Sequence, residues 1–181
     1  MELLAKLEKT VAGWLKNVPH LPQGVRTWIG ENVWWIVAIG TIISAIGVLG
    51  LLSSVFTSVG LLSSPVASYY ASASFASWLI VTGLVSLVFV ALECFIMALA
   101  IVPLKEKQKK GWVLLFAAWA VSLLFTIVSA ALTLNFFSII GNLIFGAIWA
   151  AVSAYFIFEI HDEFAHVERS KGVKAKKTAK V

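Results

Sequence analysis

Glu93 is the one acidic or basic residue in the middle of a predicted membrane-spanning stretch of this chain. An ionisable group at that depth in an apolar segment is costly and marks a functional site by default. No Lys or Arg in the same stretches can neutralise it, so we expect the carboxyl to be protonated at neutral pH. Two interpretations follow: a proton-coupled or cation-binding site, and a structural hydrogen bond between helices.

The partners of Glu93 can be predicted from depth. If consecutive apolar helices run antiparallel, counting inward from the ends that share Pro103 places Ser44, Ser122 and Trp149 near the level of Glu93. Because a helix rises about 1.5 Å per residue, an error of two residues moves these levels by only about 3 Å. We therefore expect Glu93 to share a hydrogen bond with one of these three side chains.

A second polar cluster directly follows the last apolar stretch. Asp162 and His166 are four residues apart and fit one helical face, so a metal site is conceivable, but the firmer spacing of zinc-type ligand sets is missing. A solvated helical extension is the better interpretation, and we expect no metal there. The cluster consists of Glu159, His161, Asp162, Glu163, His166 and Glu168.

Other chemistry has little support in the sequence. It contains no Gly-rich phosphate-binding loop, no nucleophile–base pair and no metalloprotease motif. Cys94 is the only cysteine, which excludes an intrachain disulfide. We expect a protein that is not an enzyme and needs no cofactor.

The composition requires lipid as the surrounding solvent. Hydrophobic residues make up 60% of the chain, charged residues only 13%, and the mean hydropathy is +0.94. Soluble domains carry about 25% charged residues. So few charges cannot cover a water-exposed surface, and the sequence therefore predicts an integral membrane protein in contact with the bilayer.

Two uncharged stretches, 32–92 and 111–158, set the number of spans. A spanning helix needs about 20 apolar residues, so each stretch fits two helices with a turn between them. Breakers at 63–65 and 133–135 agree with this division. The sequence predicts an all-α, four-helix transmembrane bundle with spans near 33–55, 77–103, 112–133 and 136–159.

The basic residues predict the orientation. All 14 lie before the first span, between the second and third, or after the fourth. The positive-inside rule then places both termini in the cytoplasm, and any oligomer should be parallel. We expect a plasma (inner) membrane protein whose basic segments contact anionic lipid headgroups, with no nucleic-acid partner. Trp residues at the inner boundary are also typical of an interface: Trp28, Trp34, Trp35 and Trp112.

Three regions organise the chain: an amphipathic segment at 1–31, a membrane domain at 32–160 and a basic tail at 161–181. Residues 2–18 predict an amphipathic helix that either lies on the inner leaflet or docks on the ends of the bundle. Residues 25–29 suggest a short second interfacial turn. The connection 56–76 predicts a short surface helix after its proline, and the tail predicts disorder.

Small residues predict where the spans touch. In lipid, helices associate where small side chains allow close approach. Serine and threonine in these stripes suit packing better than a polar path, because they can bond their own helix carbonyls. The predicted packing positions are Gly40 and Gly47 in the first span, Ala118 in the third, and Asn142, Gly146 and Ala150 in the fourth.

The stretch 103–116, Pro-Leu-Lys-Glu-Lys-Gln-Lys-Lys-Gly-Trp-Val-Leu-Leu-Phe, resembles the central loop of a group of small uncharacterised bacterial four-span proteins from reduced, uncultivated lineages. The segment 18–22, Val-Pro-His-Leu-Pro, followed by a Trp-containing span, is similar too. The resemblance implies the fold and the membrane location and carries no activity.

Two functions remain open from the sequence. The first is a non-enzymatic scaffold or accessory membrane component that packs with a parallel copy of itself or an unknown membrane partner. The alternative is a small proton- or cation-coupled transporter using Glu93. A water-wide cavity that reaches Glu93 would favour the transporter, and a sealed bundle would favour the scaffold.

Overall fold

The computed structural model describes residues 2–62, 73–133 and 135–164. These residues are 91% helical and include no strand. Four helices are long and apolar enough to cross a membrane, which confirms the predicted all-α, four-helix transmembrane architecture. The helices are α1 (Glu2–Leu15), α2 (Gln23–Leu62), α3 (Ala73–Lys105), α4 (Lys109–Leu132) and α5 (Phe136–Glu159).

Helix α2 is longer than the span predicted within it. Its 40 residues extend about 60 Å at 1.5 Å per residue, twice the hydrocarbon thickness of a bilayer. The helix begins directly after Pro22, whose carbonyl accepts from the Arg26 amide at 3.2 Å. The separate interfacial turn predicted at 25–29 is therefore wrong, because nothing after Pro22 breaks the helix. The helix also crosses the predicted boundary at 31–32.

The turn between α3 and α4 is tight. Pro103 lies inside the last turn of α3, and its carbonyl accepts from the Gln108 amide at 2.8 Å. Lys107 takes a positive φ of 52° to reverse the chain. A Cβ on Gly111 would lie 2.6 Å from the Leu104 nitrogen, so only glycine lets α4 pass this close to the end of α3.

The turn between α4 and α5 lies where the sequence predicts it. Helix α4 ends at Leu132 and α5 begins at Phe136. The side chain of Asn135 caps α5 by accepting from the amides of Phe137 at 3.0 Å and Ser138 at 3.3 Å. Such a cap satisfies amides that have no partner within the helix. The predicted helix after residue 65 and the tail beyond 169 lie outside the described residues.

The spanning helices pack in chain order, α2 on α3, α3 on α4 and α4 on α5, with α1 against α5. All four spans meet in one apolar core at the end formed by residues 19–31, 103–111 and 157–164, which we call the charged end. Trp112 lies in this core, 1% exposed, and donates to the Ile157 carbonyl at 2.8 Å. Its predicted place at the lipid interface is wrong. The core comprises Val33, Val37, Ala100, Leu104, Trp112, Phe116, Ile157, Ile160 and Phe164.

Candidate functional site

Glu93 faces a groove between three of the spanning helices. The groove has a volume of about 170 Å³ and is lined by Glu93 and Met97 of α3, by residues between 115 and 126 of α4, and by residues between 146 and 157 of α5. We call it the Glu93 groove. A single water needs about 10–15 Å³ of such space, so the groove is wide enough for water or for a small side chain.

Two of the three predicted partners of Glu93 lie in this groove. Ser122 and Trp149 line it together with Glu93, whereas Ser44 is on α2 and does not line it. Among the described residues, no hydrogen bond joins Glu93 to Ser44, Ser122 or Trp149. Counting along antiparallel helices thus placed Ser122 and Trp149 in the groove of Glu93, but the predicted hydrogen bond is absent among the described residues.

Some polar groups of the groove have hydrogen-bond partners within the described chain, and Glu93 does not. Thr126 donates to the Ser122 carbonyl of its own helix at 3.0 Å. Trp119 donates to the Ala150 carbonyl at 3.0 Å and so ties α4 to α5. The carboxyl of Glu93 has no hydrogen-bond or ion-pair partner within the described part of the chain. Glu93 is therefore available to a group from outside this chain.

The groove is open on one side. Its walls come from α3, α4 and α5, while α2 packs along α3. Trp149 on α5 is 71% exposed although it lines the groove. At the charged end the groove stops at Ile157, which belongs to the apolar core. Because α4 packs against both α3 and α5, and no residue of α2 lines the groove, the opening lies between α3 and α5, on the surface that faces lipid.

Close packing of small residues supports the walls of the groove. A Cβ added to Gly146 would lie 2.2 Å from Thr126 Cγ2, so α5 and α4 approach closely at this level. Ala118, predicted for packing, is 2% exposed. Asn142 reaches the end of α4, with its amide nitrogen 3.5 Å from the Thr133 hydroxyl. The stripes predicted on α4 and α5 thus lie against the facing helix.

The stripe predicted on α2 is only partly in contact. A Cβ on Gly40 would lie 3.8 Å from Met97 of α3, whereas a Cβ on Gly47 would meet no atom within 4 Å. Gly47 therefore has no neighbour among the described residues, and its packing role stays a prediction. The helices do not separate here, because further along a Cβ on Gly83 of α3 would lie 2.8 Å from Val55 Cγ2 of α2; Gly47 instead faces away from α3.

The polar cluster after the last span is a second site, and it is not a solvated extension. The Glu159 side chain is only 3% exposed. Its Oε1 lies 2.7 Å from His20 Nδ1, and its Oε2 accepts from the Leu21 amide at 3.1 Å. Arg26 Nε lies 3.5 Å from the same carboxylate. The prediction of a solvated extension is wrong for Glu159, because the segment between α1 and α2 folds over it.

More contacts join this segment to the end of α5. Arg26 Nη2 lies 3.3 Å from Asp162 Oδ2, and Thr27 donates to Glu163 at 3.0 Å. His161 stands edge-on to the Trp112 ring, with centroids 4.6 Å apart. We call the contacts between residues 20–27 and 159–163 the charged-end latch. His166 and Glu168 lie outside the described residues, within which no group of three side chains is arranged to hold a metal.

Helix α1 docks on the bundle. It packs against α5, and Val11 on its apolar face is 4% exposed. Just beyond α1, the Pro19 carbonyl accepts from the Tyr155 hydroxyl at 2.8 Å. Trp14 is 74% exposed. The helix therefore contacts protein with one part of its apolar face and offers another part to the surrounding lipid.

Comparison with protein-family models, with curated proteins and with solved structures gives no match for this chain. Its class follows from the fold. Four apolar helices long enough to cross a bilayer make it a multi-pass integral membrane protein.

Proposed function

We propose that the chain is a non-enzymatic scaffold or accessory component of a membrane, and that it holds a transmembrane helix of a partner or of a second copy against the Glu93 groove. The observation that carries this proposal is the opening of the groove between α3 and α5, where Glu93 has no partner in the described chain and Trp149 is exposed. Ionisable groups at such depth pair with one another or with backbone.

The groove suits a side chain presented by a partner helix. Ala150 of α5 lines the groove, and small residues allow close helix approach in lipid. The indole of Trp149 and the hydroxyls of Ser122 and Ser153 add hydrogen-bonding groups at the same place. A partner helix that presents one polar or basic side chain to Glu93 would fill the groove and cover its apolar wall.

The proposal extends to location and orientation. We propose a bacterial inner membrane, in line with the resemblance to small four-span bacterial proteins, with both termini in the cytoplasm. All 14 basic residues lie in the segments that flank one side of the spans, and anionic headgroups would attract them there. Because a strong charge bias fixes one orientation, an oligomer of this chain would be parallel.

Purification from native membrane tests the docking function. The wild-type chain and Glu93→Leu are isolated in mild detergent, and copurifying proteins are quantified by mass spectrometry. We expect at least one membrane protein, or a dimer of the chain itself, to be retained by the wild type and lost from Glu93→Leu. The matched control is Leu92→Ala, a neighbouring side chain that is 45% exposed and does not line the groove. The same retained set in all three would contradict the proposal.

A second function is favoured by one specific observation. A groove wide enough for water reaches Glu93 and also holds the hydroxyls of Ser122 and Ser153. This is the arrangement expected of a small proton- or cation-coupled transporter, in which a membrane carboxyl binds and releases the coupling ion. In this alternative the groove opens to water on each side of the membrane in turn.

Reconstituted vesicles distinguish the two functions. For a coupled transporter, the wild type should dissipate an imposed pH or cation gradient faster than empty vesicles, and Glu93→Gln should abolish the difference while the fold stays intact. For a scaffold, the wild type and Glu93→Gln should both match empty vesicles. The control is Leu92→Gln, which adds the same polar group next to the groove.

A further inference from the structure

A second cavity lies beneath α1, and it shares Trp119 and Leu123 of α4 and Ala150 of α5 with the Glu93 groove. It has a volume of about 310 Å³, and its lining is almost wholly apolar. Helix α1 contributes Val11, Trp14 and Leu15, and α5 contributes the alanine-rich segment 147–154. Because alanine side chains are short, they leave a channel that α1 does not fill.

The depth of this cavity in the membrane shows which part of a lipid lies beside it. Ala154 and Ala147 precede Glu159, the last residue of α5, by five and twelve residues. At a rise of 1.5 Å per residue they lie about 8 and 18 Å below the charged end. That range largely overlaps the hydrocarbon of one leaflet, which is about 15 Å thick. Lipid acyl chains therefore lie at the same level of the membrane as this channel.

A polar mouth adjoins the apolar channel. A third cavity, of about 220 Å³, shares Leu15 with the channel and is lined by Lys16, His20, Tyr155 and Glu159. It lies at the level of the last turn of α5, where headgroups begin. The two cavities together have the form of an amphiphile: an apolar channel below and a polar opening above.

The charges around the mouth favour an anion. Glu159 is already occupied, since it contacts His20 at 2.7 Å and Arg26 at 3.5 Å. Lys16 is exposed and has no acidic partner among the residues that the structure describes. One unpaired positive charge thus stands at the entrance of an apolar channel.

We infer that a phospholipid with an anionic headgroup binds between α1 and α5, with one acyl chain along Ala147–Ala154 and its phosphate at Lys16. The lipid fills the space that α1 leaves and joins α1 to the bundle. The site adjoins the Glu93 groove but does not include Glu93. Because Lys16 and Ala151 do not line that groove, variants at these two positions test the lipid site independently of the proposed docking function.

Native mass spectrometry of the full chain in mild detergent tests the site. The probes are phosphatidylglycerol and phosphatidylcholine with identical acyl chains. We expect the wild type to retain phosphatidylglycerol in preference to phosphatidylcholine. Lys16→Gln should lower that preference about fivefold, the effect of one basic residue near anionic lipid. Equal retention of both lipids by the wild type would overturn the proposal.

Matched controls separate an effect of this site from the effect of losing any lysine and from the effect of adding any large side chain. Lys9→Gln removes an exposed lysine of α1 that lines neither cavity and should keep the wild-type preference. Ala151→Leu fills the channel and should remove both lipid adducts, whereas Ala45→Leu on the exposed face of α2 should leave them unchanged. Identical behaviour within either pair would contradict the site.

A measurement on the wild type alone keeps the proposal testable if Ala151→Leu fails to fold. Phosphatidylglycerol with a photoreactive diazirine in its acyl chain is added to the purified chain, and the labelled peptides are mapped. We expect the label on peptides containing 11–15 and 147–154. An even spread of label that includes the exposed face of α2 over 36–49 would overturn the inference.

Discussion

At the scale of single residues, the surroundings of two carboxyl groups are the reverse of those that the sequence predicts. Glu93 in mid-membrane was expected to have a partner within the chain, and Glu159 was expected to face water. In the structure Glu159 is 3% exposed and bonded to the segment before α2, whereas Glu93 faces a groove. Position along a helix predicts depth, but His20 lies 139 residues from Glu159 in the chain. No local pattern reveals such a pairing.

Glu159→Ala should strongly destabilise the protein. It removes the acceptor of the Leu21 amide and the carboxylate beside His20 and Arg26. Arg26 keeps its bond to the Glu159 main-chain carbonyl, but a buried donor left without its acceptor costs about 1–3 kcal/mol. Asp162→Ala is the control, since its side chain is 66% exposed in its contact with Arg26 and such surface pairs contribute about 0–1 kcal/mol. Denaturant titration in detergent measures both, and equal losses of stability would contradict the charged-end latch.

At the scale of helices, small residues predict contacts well where one stripe faces another. Gly146 and Ala118 were found from spacing alone, because small residues in lipid-embedded helices have little other use. Gly47 meets no neighbour among the described residues, because a uniformly apolar helix does not show in its sequence which of its faces meets the next helix. The start of α2 was missed for a related reason. Residues 23–31 are polar enough to look interfacial, yet they continue the helix without a breaker.

Gly146→Ala should destabilise the α4–α5 contact by about 1–3 kcal/mol, the usual effect of overpacking. The added Cβ would lie 2.2 Å from Thr126 Cγ2, and turning Thr126 away would disturb its bond to the Ser122 carbonyl. Thr126→Ser removes that methyl and keeps the hydroxyl, so it should restore most of the loss in the double variant. Thermal unfolding in detergent is the measurement.

Gly47→Ala is the matched control for Gly146→Ala. Nothing lies within 4 Å of its added Cβ, and alanine favours a helix over glycine by about 1 kcal/mol in soluble hosts. We expect unchanged or slightly higher stability. Equal destabilisation by Gly47→Ala and Gly146→Ala, or no rescue by Thr126→Ser, would refute the assigned interface.

At the scale of the whole molecule, composition predicts the membrane and the placement of charges predicts the number of spans. Both follow from solvation, which acts on every residue and so leaves a strong signal in the sequence. The opening of the groove between α3 and α5 leaves no such signal, because it depends on the angles at which the helices pack. The groove itself is therefore a structural finding, although its acidic residue was evident from the sequence.

Reporter fusions test the proposed orientation. A reporter active only outside the cytoplasm should give signal when fused after Ser63 and none when fused after Gln108 or Val181. The physical reason is the 14 basic residues, which oppose translocation of the segments that carry them. A signal at the C-terminus would reject the proposed four-span orientation.

Photocrosslinking at the opening of the Glu93 groove is the most direct test of the proposal that a helix docks there. A photoreactive phenylalanine analogue replaces Trp149, which lines the groove and is 71% exposed, or Leu124, which is 52% exposed and does not line it. Irradiation in native membranes should give a discrete protein adduct from position 149, and Glu93→Leu should remove it. Position 124 should give only lipid adducts. Lipid adducts alone from both positions, or a protein adduct that persists in Glu93→Leu, would contradict a helix-docking groove.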